Sequence, residues 1–198
     1  MSTLDTSEEA RAKLGIGTLW TPADNNLIWG SFAPVNAGGA NVPSAVNVPG
    51  KLTLQRVLLR ESATISKVWL GVSANDAGAT FSDCYIGLYN SSGTLLTQTA
   101  DISTELKTAV VYGITLTPTV TVPAGEYFVA MLLNGSWTTF NLKSSLGGIT
   151  TNAGLSAPHL TLSSISMSVT ALPASITLAS MTTGLITGGW GSQWYGLS

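Results

Sequence analysis

The chain has 198 residues, enough for one mid-sized domain with a buried core, or for one domain plus an arm. Only 9% of the residues are charged and the net charge is −2, so no basic field exists to hold nucleic acid or an anionic membrane. Mean hydropathy is positive, yet apolar residues are interleaved with Ser, Thr and Gly, a β pattern that argues against membrane insertion as a spanning helix.

In chain order, residues 1–14 concentrate charge in Asp5, Glu8, Glu9, Arg11 and Lys13. Thr6 and Glu9 have capping-box spacing and Gly15 is a stop, which predicts a short N-terminal helix with Leu14 on its apolar side. So short a helix is marginal alone and needs a surface to dock on. The N-terminus has neither a basic region nor an apolar segment, so no secretory signal is expected, and synthesis in a cytoplasm follows. Residues 15–50 are rich in Gly, Pro, Asn and Ala, with Trp20, Trp29 and Phe32 among them, and read as an extended arm. Residues 1–50 are therefore expected to be a helix and attachment arm, and residues 51–198 a β domain.

From Lys51 the period-2 signal is strong. Leu52, Leu54, Arg56 and Leu58 share one face of a predicted strand. Val68, Leu70 and Val72 oppose Lys67 and Trp69, and Cys84, Ile86 and Leu88 oppose Tyr85, Gly87 and Tyr89. Asn90-Ser-Ser-Gly93 predicts a hairpin, Val110–Val122 one or two strands, and Pro123-Ala-Gly a turn into the buried strand Tyr127–Leu133. Shorter strands are expected over Leu160–Val169 and Ser175–Ser180. The predicted fold is all-β, an antiparallel, jelly-roll-like β-sandwich.

Catalytic material is scarce. The one Cys and one His exclude a disulfide framework and any His/Cys metal cluster, and no metal or cofactor is expected. Cys84 is in phase with buried apolar residues and reads as core; His159 reads as a hydrogen-bonded structural residue. Asp76, Asp83, Asp101, Glu105 and Glu126 are the candidates for a glycosidase pair, and each looks like a loop or turn residue. No catalytic residue is assigned. The aromatics remain. Trp69, Tyr89 and Trp137 are candidates for stacking on sugar rings, and Leu14, Trp20, Trp29, Trp190, Trp194 and Tyr195 for a subunit interface. Residues 144–198 contain no Asp, Glu, Lys or Arg, and the Gly-rich end carrying Trp190, Trp194 and Tyr195 needs cover.

Several motifs, Ile65-Ser-Lys-Val-Trp-Leu-Gly-Val, Cys84-Tyr-Ile-Gly-Leu-Tyr-Asn-Ser-Ser-Gly-Thr-Leu-Leu and Val122-Pro-Ala-Gly-Glu-Tyr-Phe-Val-Ala-Met-Leu-Leu-Asn-Gly, together with Leu172-Pro-Ala-Ser and the closing Trp-Tyr-Gly-Leu-Ser, resemble small β-sandwich virion proteins of tailed bacteriophages, especially those of actinobacteria. Leu19-Trp-Thr-Pro-Ala-Asp-Asn-Asn-Leu-Ile is similar to their N-terminal segment. The resemblance implies a non-enzymatic minor tail or tail-fibre protein located in the virion. It implies other virion proteins as partners and a homo-oligomer (a trimer); loops 73–82, 90–93 and 134–137 are expected to contact either the host surface, its glycan included, or neighbouring virion proteins. A capsid decoration or capsid-fibre protein, and a carbohydrate-binding module or glycan-degrading tail enzyme, are the alternatives.

Overall fold

A computed structural model of the chain describes residues 20–32, 50–75, 77–145, 149–183 and 192–198. The expected helix over 1–14 with Leu14, the arm residues 33–49, Asp76 and Trp190 lie outside the described residues. Among the described residues the fold is all-β and antiparallel. Its first six strands are β1 (Trp29–Gly30), β2 (Lys51–Leu59), β3 (Ala63–Asn75), β4 (Thr80–Phe81), β5 (Tyr85–Asn90) and β6 (Leu95–Gln98). The others are β7 (Val111–Val122), β8 (Gly125–Leu133), β9 (Gly135–Ser136), β10 (Phe140–Leu142), β11 (Leu162–Ser166) and β12 (Tyr195–Leu197).

One curled sheet runs in the order β1-β12-β3-β7-β6-β5-β8-β2-β11, with β10 also on β3, while β4 and β9 form a separate ribbon. β6 and β7 meet at a single register position, Gln98 opposite Thr117, reinforced by the Thr97 hydroxyl donating to the Pro118 carbonyl at 2.6 Å. β7 advances from Thr115 to Val120 while β3 moves only from Lys67 to Ile65, and Pro118, with no N–H for a ladder, falls in that gap. The sheet turns a corner there. A front half, β1-β12-β3-β7, folds over a back half, β6-β5-β8-β2-β11.

Alternation decides what fills the space between the halves. Ile65, Val68 and Leu70 from β3 pack in one buried cluster with Val57 from β2, Ile86 and Leu88 from β5, and Val129 and Met131 from β8. The back half is also buried on its outer face. There Leu52, Leu54, Tyr89, Phe128 and Leu132 pack under Leu160, Ile165, Leu172, Ile176, Leu178 and Met181. Burial on both faces explains why β8 is apolar without alternation.

Burial accounts for part of the lack of charge in residues 144–198. Leu160–Met181 covers the back half-sheet, and Tyr195–Leu197 is inserted as β12 between β1 and β3. Each large apolar side chain buried this way contributes about 1.5–3 kcal/mol, whereas an unpaired charge there would cost more than it returned. The strand expected over Leu160–Val169 is β11. Ser175–Ser180 is not a strand: Ser175 makes one bridge to Thr94 and Leu178–Ser180 is a 3₁₀ turn. Those residues cap a sheet rather than extend it. The 90–93 hairpin forms as expected, with the Asn90 carboxamide oxygen accepting from the N–H groups of Ser92 and Thr94 and with Gly93 at φ +82°. Trp29 and Gly30, expected in an arm, are an edge strand paired to β12. No helix among the described residues is long and apolar enough to cross a membrane.

Candidate functional site

The front half-sheet differs from the back. No described segment is laid over its outer face in the way that Leu160–Met181 covers the back one. The cross-strand register places Gly30, Gly196, Trp69 and Gly113 side by side on β1, β12, β3 and β7. Directly opposed residues in an antiparallel pair present side chains to the same face, so this row is three glycines and one tryptophan on the outer surface. Each glycine makes room for a side chain lying on the sheet. A Cβ at Gly113 would stand 2.7, 2.8 and 2.8 Å from Cη2, Cζ2 and Cζ3 of Trp69. Near-equal distances to three adjacent ring carbons mean that the indole rests face-on over Gly113, with its other face turned outward. The Trp69 Nε1–H donates to the Ser198 hydroxyl at 2.9 Å, which fixes the ring in its plane. Leu27 covers Gly196, and the tip of Trp20 points at Gly30 with its Nε1–H held by the Asn25 side chain at 2.7 Å.

Trp69 has a lysine on either side. Lys67 lies one pleat away on the same face, exposed and opposite Thr115. One pleat in the other direction is Gly71, and the Lys143 stem lies across it, where a Cβ would meet Lys143 Cγ at 2.6 Å. Thr64 and Thr121 share a 2.8 Å hydroxyl contact further along. The strands β1, β3, β7, β10 and β12 contain no Asp or Glu, and Lys67 is their single charged residue. Carboxylates stand at the margin of these strands: Asp24, bound by Thr21 next to Trp20, and Glu61, which lines a hollow with Ile28 and Thr64.

Of the aromatics predicted to stack on sugars, Trp69 and Trp137 are half-buried. Tyr89 is not on an open surface. It is fully buried in the back cluster, its hydroxyl donating to the Pro173 carbonyl at 2.8 Å, and burial pushes its phenol well above the usual range. Alternation placed Tyr89 opposite the core, but the covering segment Leu160–Met181 was not visible as a cover. Trp137 stacks on Phe81 with centroids 5.4 Å apart and meets Phe140 edge-on at 5.8 Å, so it closes one end of the inner core. Of the residues predicted at a subunit interface, Trp194 and Tyr195 are buried within the chain, and Trp20 and Trp29 are half-buried. Trp29 packs against the inner core, and Trp194 is buried with its indole N–H on the Phe32 carbonyl at 3.1 Å. Tyr195 is buried with its hydroxyl donating to the Gln193 side chain; burial raises its phenol strongly, partly opposed by a hydrogen bond from Thr53. Trp20 lies on the front face described above. Loops 73–82 and 134–137 meet in the β4–β9 ribbon, and the 90–93 hairpin lies at the other end of the sheet.

The ionisable groups do not converge. Cys84 is fully buried, its thiol donates to the Asn134 carbonyl at 3.2 Å, and burial pushes its pKa up. His159 contacts Glu126 at 3.0 Å, and Glu126 also pairs with Arg56 at 2.9 Å. Glu126 and Asn134 are eight residues apart along β8, roughly 25 Å at about 3.3 Å per residue, so Cys84 and His159 form no pair. Burial acts to raise Asp101, but hydrogen bonds from the Ser103 hydroxyl and from the Cys84, Ser103 and Asp83 N–H groups outweigh it and hold the carboxyl below its usual value. Asp101 thus organises the turn beside Cys84. Among the described residues no cluster of three or more His, Cys, Asp or Glu has metal-ligand geometry.

Lys143, Leu27 and the three glycines were not singled out from the sequence. Their grouping depends on register between strands far apart in the chain, and a Trp two residues from a Lys was the one local signal. No protein-family model matches the sequence, and no curated protein matches it.

Proposed function

We propose that the protein is a non-enzymatic structural and adhesive component of a bacteriophage virion, a minor tail or tail-fibre protein that displays its β-sandwich for contact with a host surface. The asymmetry of the sandwich carries the binding part of this assignment. The back half-sheet is covered by the chain's own C-terminal segment, while the front half-sheet holds an indole flat with one face outward. A side chain placed for shape, without a nucleophile or acid–base pair beside it, suits binding and not bond cleavage. The virion part is supported by the β-sandwich motifs noted in the sequence, which fall on β3, β5–β6, β7–β8 and β12. A capsid decoration protein would use the same chemistry at a different address.

Trp194 and Tyr195 lend no support to a shared trimer axis, because their own chain buries them. A homo-oligomer would have to form through another surface, and light scattering of the purified chain measures it directly. The address is tested by electron microscopy and protein mass spectrometry of particles that carry this chain. Density for the sandwich on the tail supports a tail role, density on the capsid lattice supports decoration, and absence from purified particles overturns the virion assignment. A carbohydrate-binding module outside any virion is favoured by the same Trp69 geometry and would survive that last outcome.

A further inference from the structure

We propose that the front face binds an acidic polysaccharide, with one pyranose ring stacked on the outward face of Trp69 and its carboxylate or phosphate groups paired with Lys67 and Lys143. The proposal deepens the binding role given to this face above and does not depend on the virion address. A pyranose presents a flat apolar patch of C–H groups that matches an indole face, and its hydroxyls need partners at the rim. The Trp69 ring lies parallel to the sheet, seated on Gly113 and pinned by Ser198, so it is preorganised and loses little freedom on binding. Thr64, Thr115 and Thr121 are exposed on the same strands and supply hydroxyl partners.

Charge selects among sugars. Lys67 and Lys143 flank the ring one pleat to either side, and no carboxylate is present on the five strands of this region. No described acidic side chain pairs with either lysine. A neutral sugar would leave both ammonium groups unused, and an acidic one gains two charge-assisted contacts. The exposed large hydrophobic residues beside this half-sheet are Val110, Val111 and Ile28. Gly30 and Gly113 are three strand spacings apart, about 14 Å at ~4.8 Å each. Leu27 covers Gly196 between them and Trp20 meets Gly30 with its ring tip, so Trp69 is the flat platform of this row.

The test is isothermal titration of the full chain at low salt with tetragalacturonate and with neutral cellotetraose. Tighter binding of tetragalacturonate is expected. Trp69→Ala should weaken it about tenfold or more, and Lys67→Gln and Lys143→Gln about fivefold each. Lys51→Gln, which removes one charge from the back half-sheet, should change little. Added salt should erase the preference for the acidic probe. Lys67→Gln leaves the fold intact even if Trp69→Ala does not, so the charge arm stands by itself. Binding of neither probe, equal binding of both, or tetragalacturonate affinity unchanged in Trp69→Ala and Lys67→Gln would each overturn the proposal. Light scattering on the same samples covers the remaining occupant: an oligomer split by Trp69→Ala would make this face a subunit interface and also overturn it.

Discussion

Gly113→Ala is the change that probes the front face most directly. At an ordinary strand position this substitution stabilises by about 0.5–1 kcal/mol, because alanine loses less backbone entropy on folding. At Gly113 the new methyl would stand 2.7, 2.8 and 2.8 Å from three carbons of the Trp69 ring. Carbon pairs are comfortable at about 3.5–4.0 Å, so the indole must lift by roughly an ångström. Lifting disrupts the Nε1–Ser198 hydrogen bond, worth about 0.5–1.5 kcal/mol, and overpacking adds about 1–3 kcal/mol. Net destabilisation of about 1–3 kcal/mol is expected once the entropic gain is subtracted. In a Trp69→Ala background the ring is gone, and the same substitution should stabilise by about 0.5–1 kcal/mol. Urea unfolding of the four proteins of this cycle, followed by far-ultraviolet circular dichroism, measures the coupling, expected on the order of 2 kcal/mol. In a chain of this length each kcal/mol moves thermal unfolding by about 2–4 °C, which is easily resolved. If Gly113→Ala has the same sign and size in both backgrounds, the ring does not rest on Gly113 and the platform geometry fails.

Tyr195→Phe should cost about 1–3 kcal/mol in urea unfolding, because it leaves the buried Gln193 carboxamide oxygen without its donor; a neutral result would show that water reaches this network. Glu126→Gln should cost no more than about 1 kcal/mol, since the Arg56 and His159 contacts are partly solvated, and a larger loss would make that cluster part of the core. Alkali should destabilise the fold. Burial raises Cys84, Tyr89 and Tyr195 above their ordinary values of 9.0 and 10.0, so the unfolded chain releases protons first and stability falls as pH rises through and beyond that range. Chemical denaturation between about pH 8 and 11 should show the decline, and a flat profile would contradict the burial of these groups. The Cys84 thiol should resist alkylation in the native protein and react at once in urea; equal rates in both would place it at the surface.

Much of the fold was legible in the chain. Period-2 alternation over Lys51–Leu59, Ala63–Asn75 and Tyr85–Asn90 located the strands, and Asn90 to Gly93 located a hairpin, because those choices depend on neighbours in sequence. Alternation also put Lys67 and Trp69 on the face opposite Val68 and Leu70, and placed Cys84 in the core. The sequence left open what covers Tyr89, Trp194 and Tyr195, a neighbouring subunit included, because the cover comes from distant parts of the chain: Leu172–Pro173 over Tyr89, and Ser31–Phe32 beside Trp194 and Tyr195.

Composition and periodicity thus determined an all-β chain, which faces its strands present, and that residues 144–198 avoid water-seeking charge, since each of these follows from local pattern and the cost of burying an ion. Only the tertiary structure decided which apolar faces the chain covers itself and which it leaves. Strand register, set by pairing between residues far apart in the chain, brought Gly30, Gly196 and Gly113 into line with Trp69. That alignment turned an unremarkable strand tryptophan into a flat ring between two lysines.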